Sequence, residues 1–190
     1  MKLSSLASVA FALAIASTSQ AQTWNHDLAH SGIAFEVRHM VVSTTRGQFD
    51  SSVVTLTGDP SKPATLSAKV VIPVASIDTR NEKRDEHLRA PDFFDAAKYP
   101  VIEFQSTKVT GKGRKLVMHG DLTMKGVRKT IAIPFTLSGP IEDHWKNTRI
   151  GFEGAIQIDR KEFGVGSETP EAIVGEKIEV KISYEGILQK

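Results

Sequence analysis

The chain reads as an all-β protein, an antiparallel barrel of about eight strands with one short helical connection covering one end. Three observations predict it. Apolar residues recur at every second position through most of the chain, and glycine- or proline-marked turns separate the runs. Only Glu82 to Leu88 breaks the pattern, as a stretch without β-branched residues. A strongly twisted antiparallel sheet of this size loses its exposed edges by closing on itself, although a sandwich of two sheets would suit the same period of two. The barrel is preferred because every strand has one apolar face and a single helical connection is available as a cover.

In chain order, Ile33, Phe35, Val37 and His39 alternate with Ala34, Glu36, Arg38 and Met40, so His39 falls on an apolar face. Arg46-Gly47 permits a bend, an extended run follows from Gln48 to Thr57, and Gly58-Asp59-Pro60 ends it. Leu66, Ala68, Val70 and Ile72 then share a face until Pro73 withdraws a backbone donor. Asn81 is placed to cap a short helix over Glu82 to Leu88, which Ala90-Pro91 stops, and Asp92 to cap a further turn. Beyond it Ile102, Phe104 and Ser106 lead through Gly111-Lys112-Gly113 into Leu116, Met118, Leu122 and Met124. Lys125-Gly126 turns the chain into Ile131, Ile133, Phe135 and Leu137, and Gly139-Pro140 is expected to end that run. Two last strands present Ile150, Phe152, Ile156 and Ile158, then Ile178, Val180, Ile182 and Tyr184.

The first residues read as a processing signal. Lys2 gives a positive start, Leu6 to Ala16 is nearly all apolar, and Ser19-Gln20-Ala21 fits small-x-small cleavage, so residues 1–21 are expected to be a signal peptide and 22–190 the domain. No later stretch approaches the roughly 20 apolar residues of a membrane helix, so no transmembrane anchor is expected. About 169 residues remain, which suits one domain with one core. Without Lys2 the basic residues exceed the 22 acidic ones by one, which gives no electrostatic footprint for nucleic acid or an anionic membrane. Cysteine is absent from the sequence, so disulfides, thiol chemistry and cysteine metal sites are excluded and stability must come from packing.

Several ordered segments together resemble the YceI-like family of exported proteins. They are Asp27-Leu28-Ala29-His30-Ser31 leading to Phe35-Glu36-Val37-Arg38-His39, Gly47-Gln48-Phe49, Ile77-Asp78-Thr79, and Arg84-Asp85-Glu86-His87-Leu88. Asp92-Phe93-Phe94-Asp95, Tyr99-Pro100, Phe104-Gln105-Ser106, Gly120-Asp121-Leu122-Thr123 with Gly126, and Arg160-Lys161-Glu162-Phe163-Gly164 complete the set. The resemblance implies an antiparallel lipocalin-like barrel in the periplasm, whose apolar tunnel carries an isoprenoid or other lipid-like small molecule. It brings no catalytic set and no cofactor, and it leaves a homodimer open. On this reading Ile33, Phe35, Val37, His39, Phe49, Leu66, Val70, Ile102, Phe104, Ile133, Phe135, Phe152 and Ile156 line the tunnel. Arg84 and His87 would meet a polar head group, with Phe93 and Phe94 as a lid.

Each feature has a plainer reading. Small barrels are often packed shut, Arg84 and Asp85 can tie the helix to neighbouring backbone, and Phe93-Phe94 can be ordinary core. His39 can be a hydrogen-bonded core histidine. A different class of function would place a metal-binding or enzymatic site on His26, His30 or His39, but their spacing is no recognised signature. Ser31 beside His30 and Asp27 suggests a hydrolase, although residues adjacent in sequence seldom form a triad. Gly164-Val165-Gly166 has no following helix and is no phosphate loop. Trp24 and Trp145 suit either barrel-end packing or contact with a partner.

Overall fold

The structure is a computed structural model and describes residues 21–190, so the expected signal peptide lies outside it except for Ala21. The strands are β1 (Thr23–His26), β2 (Gly32–His39), β3 (Ser43–Phe49), β4 (Val53–Thr57), β5 (Ser67–Pro73), β6 (Ile77–Asp78), β7 (Val101–Lys112), β8 (Lys115–Met124), β9 (Val127–Glu142), β10 (Thr148–Asp159) and β11 (Val174–Leu188). One helix, α1 (Glu82–Arg89), follows β6. The ring β1–β4–β5–β7–β8–β9–β10–β11 closes through pairing of β11 with β1, giving an eight-stranded antiparallel, lipocalin-like barrel. Toward the other end β2 takes over from β1 on β11, β3 pairs with β2, and β6 pairs with β3.

The alternating pattern succeeds for most strands, but β1 and β6 are too short to show it, Arg46-Gly47 lies inside β3 instead of bending the chain, and three further expectations fail for local causes. The expected run from Gln48 to Thr57 is two strands, because the chain passes from β2 to β1 as its partner between β3 and β4. Gly139-Pro140 does not end β9. Gly139 adopts φ 87°, and β9 accommodates one extra residue as a bulge between the pairs Ser138–Gly151 and Ile141–Arg149. Asp92 does not cap a turn, since its carboxylate is engaged by His87 at 2.7 Å. Asn81 caps α1 as expected, its side chain accepting from the Arg84 amide.

One end of the barrel is packed solid. Trp24 is 1% exposed and donates from its indole to the Gly58 carbonyl, the Tyr184 hydroxyl donates to the Trp24 carbonyl, and Leu56, Leu66 and Ile150 are buried with them. Trp24 is therefore barrel-end packing, whereas Trp145 is exposed on the turn between β9 and β10. Two glycines let aromatic rings lie flat against the wall. A Cβ on Gly47 would stand 2.4 Å from the Phe35 ring, and one on Gly120 would stand 2.4 Å from the Phe104 ring. Both motifs containing these glycines thus position rings that face the interior.

Candidate ligand cavity

Above the packed end the inward side chains do not meet. The lower compartment, about 140 Å³, is lined by aliphatic and aromatic side chains from the strands, with His26, Ser31, Ser52, Ser183 and Tyr184 as its polar exceptions. The upper compartment, about 350 Å³, runs beneath α1 and the connections after it. Ile33, Phe49, Ile102, Met124, Ile158 and Val180 line both and form a shared waist. The Phe49 ring lies 5.7 Å from that of Phe35 and 6.3 Å, edge-on, from that of Phe94, so an aromatic row continues from the waist toward the cover.

Eleven of the thirteen residues expected at a tunnel surface line one or both of the two compartments. Val70, Phe104, Ile133, Phe152 and Ile156 face the lower compartment, Ile33, Phe49 and Ile102 face both, and Phe35, Val37 and His39 face the upper. Leu66 and Phe135 are buried but stand outside this lining. Leu66 lies just before β5 in the packed end, and the Phe135 ring stacks on Phe152 at 4.4 Å behind the surface. His39 is exposed at the rim of the upper compartment, so it is not a core histidine. Met124, Ile158 and Val180 line both compartments without having been expected there, although their strands' alternation already faced them inward.

The cover is built from charged residues whose hydrogen bonds are mostly internal. The buried Asp85 carboxylate accepts from the amide and hydroxyl of Thr79. Arg84 faces the upper compartment while its Nε and Nη2 donate to the Thr79 hydroxyl at 2.7 Å and carbonyl at 2.6 Å. These contacts fasten α1 to the end of β6. The His87 ring stands edge-on to Phe93 at 4.9 Å and bonds Asp92, whose pKa is lowered chiefly by that bond. Phe93 is buried, and Phe94 is half-buried. Arg160, with Val165, Thr169 and Ile173 on the loop that follows β10, completes the cover.

The histidines do not converge. His26 pairs with Gly186 and His39 with Val174 on β11, twelve residues apart, or about 40 Å along an extended strand. His26 stacks on Tyr184 at 5.3 Å, and its buried Nε2 has no hydrogen-bond partner among the described residues. Burial lowers its pKa, with Asp27 opposing. Asp27, His30 and Glu185 bring ligand atoms within 4.8 Å of one another, but a cation is already there: Arg149 Nη1 reaches Asp27 at 2.8 Å and Glu185 at 2.5 Å, while its Nε reaches Asp143 at 2.6 Å. Ser31 donates to the Asp27 carbonyl and accepts from the Glu185 amide, so it is not linked to His30 as a nucleophile would be.

The Arg149 cluster predicts an acid limit. Arg149 holds the Asp27 carboxyl below its ordinary range; burial pushes Asp143 upward, but hydrogen bonds from Arg149, Asn147 and Trp145 outweigh it and leave it well below the carboxylate range. Folded-state values below the unfolded ones mean that this stabilisation is complete above about pH 4 and is lost as pH falls through the folded values. Arg149→Met should therefore melt well below wild type at neutral pH, and the gap should narrow toward about pH 3. A melting-temperature difference that stays constant with pH would show that the cluster contributes no pH-dependent stability.

The YceI-like domain pattern matches residues 24–186. Protein YceI of Escherichia coli O157:H7 is 36% identical over 161 residues, covering 85% of this chain and 83% of its own. The crystal structure of Burkholderia cenocepacia BcnA superposes with a TM-score of 0.77 at 28% identity, covering 85% of this chain and 99% of that one. A polyisoprenoid binding domain from Saccharophagus degradans, implicated in plant cell wall breakdown, shares the fold with a TM-score of 0.66 at 16% identity, over 88% of this chain and 98% of that one.

Proposed function

Because the chain belongs to the YceI-like domain family, we propose that it holds a long, slender, lipid-like molecule in its apolar interior, an isoprenoid above all, and releases it unmodified as an exported carrier or store. The observation that carries this reading is the hollow itself: two apolar compartments that share the six residues of the waist, in a barrel whose far end is sealed by Trp24. Burying an alkyl chain gains about 0.8 kcal/mol per CH₂, whereas an unpaired polar atom costs about 1–3 kcal/mol, so such a lining selects for a prenyl or acyl tail. The polyisoprenoid named for the Saccharophagus domain, which has the same fold, supports that choice of ligand class. The apolar start of the sequence supports export to the periplasm.

The test is direct. Protein purified without detergent is extracted with organic solvent and the extract analysed by mass spectrometry, and delipidated protein is titrated with a polyprenol delivered from micelles. A co-purifying lipid and saturable uptake are expected. Repeated empty extracts together with no uptake would overturn the reading.

A further inference from the structure

We propose that the hairpin tip Met40-Val41-Val42, with Ile173 beside it, inserts into a phospholipid bilayer so that cargo passes between membrane and cavity without crossing water. The inference rests on the lipid-binding reading above for its purpose, but on separate observations for its site.

The first observation is exposure in a place where it is costly. Met40, Val41 and Val42 are 56%, 69% and 82% exposed, and Ile173 is 47% exposed. They form one patch, because the Met40 amide donates to the Ile173 carbonyl at 2.9 Å. This patch adjoins the upper compartment, whose lining includes Arg38, His39, Ile173 and Val174. The second observation is a broken local rule. A β-turn with positive φ at both central positions ordinarily carries Asn, Asp or Gly there, yet in the turn His39–Val42, inside the three-residue connection closed by the His39–Ser43 pair, Met40 and Val41 adopt φ 48° and 62°. A β-branched side chain in that region is strained, and strain retained at an exposed tip points to a use for the side chains.

The third observation is that half of the tip's backbone polar groups are tied up, beginning with the Met40 amide on the Ile173 carbonyl. The Val42 amide donates to the His39 carbonyl, and Arg38 donates to the Val41 carbonyl. Polar groups satisfied within the protein can leave water, and the Val41 amide and the Met40 and Val42 carbonyls, which have no partner among the described residues, limit the insertion to head-group depth, where water still reaches them. Three small side chains and one neighbour fall far short of the roughly 800 Å² per partner that a stable protein interface buries, which disfavours a second copy as the occupant. The tip residues carry no charge, so the attraction is expected to be apolar and indifferent to salt.

The experiment compares the full-length mature protein with a triple variant, Met40→Asn, Val41→Gly and Val42→Ser, in sedimentation with phosphatidylcholine vesicles. Asn-Gly is the favoured pair for this turn, so the variant should fold at least as well as wild type. Wild type should sediment with vesicles at low and high salt, and the variant's association should fall about tenfold or more. Both should take up polyprenol from micelles equally, while transfer from polyprenol-loaded vesicles should slow in the variant alone. Absence of wild-type sedimentation, loss of it in salt, or equal sedimentation by the variant would overturn the inference. Failure of both proteins to take up polyprenol from micelles would instead overturn the lipid-binding reading, with sedimentation still deciding the tip.

Discussion

Val180→Phe should abolish uptake of a long-chain ligand while leaving the barrel folded. Val180 is one of six residues that line both compartments, and it sits within β11, paired with Phe35 on one side and Ile156 on the other, so its side chain has no freedom to withdraw. A phenyl ring there projects into the waist. Filling apolar space gains up to about 2 kcal/mol, and overpacking costs about 1–3 kcal/mol, so the two nearly cancel and stability should shift by less than about 2 kcal/mol. Binding should not be so tolerant. A tail that threads the waist must give up the lower compartment, and affinity should fall by about a hundredfold or more, the equivalent of about 2.7 kcal/mol or a few methylenes of lost burial. Val53→Phe supplies the control, because Val53 is exposed and its neighbour Val54, not Val53 itself, lines the cavity. Titration of both delipidated variants with polyprenol, alongside thermal melting, checks the expectation. Unchanged affinity in Val180→Phe would place the ligand outside the barrel.

The barrel was legible because a half-buried strand writes its two faces into the sequence, and β5, β7, β8 and β10 do so plainly. Alternation reports which side a residue faces and not whether anything stands opposite. Phe135 and Phe152 have the same inward signature, yet one stacks behind the surface and the other lines the lower compartment. Hollowness is a property of distances between strands that are far apart in the chain, and no local pattern carries it. Turn chemistry was legible where it was ordinary, as at Lys125-Gly126, and illegible at Met40-Val41, where the residues contradict the conformation. Gly139-Pro140 misled for a related reason: a bulge uses the same residues as a stop. Arg160 stood in a recognised motif, but a single arginine in a sequence gives no sign that five carbonyls will surround it.

Those carbonyls underlie the second large effect. Arg160→Met should destabilise the protein by about 3–5 kcal/mol and open the cover of the upper compartment. Arg160 is 4% exposed; its Nε donates to the Gly175 carbonyl, Nη1 to those of Val165 and Gly166, and Nη2 to those of Thr169 and Val174. One guanidinium thus gathers the loop from Lys161 to Ile173 and fixes it to the start of β11. Burial lowers its pKa, with Glu176, Asp159 and Glu171 opposing, but an arginine keeps its charge in any folded protein. Methionine has comparable length and no donors, so the carbonyls would lose their partners in a buried place, at about 1–3 kcal/mol for each that water cannot reach. Lysine should rescue only part of the loss, because three donors on a point charge cannot copy a planar fork. Urea midpoints should follow the order wild type, Arg160→Lys, Arg160→Met, and limited proteolysis should cut first within the 161–173 loop. Ligand should also leave faster, since Val165, Thr169 and Ile173 face the upper compartment from that loop. A methionine variant within about 1 kcal/mol of wild type, with its loop as resistant as before, would mean that burial of Phe163 and Val165 holds the cover unaided.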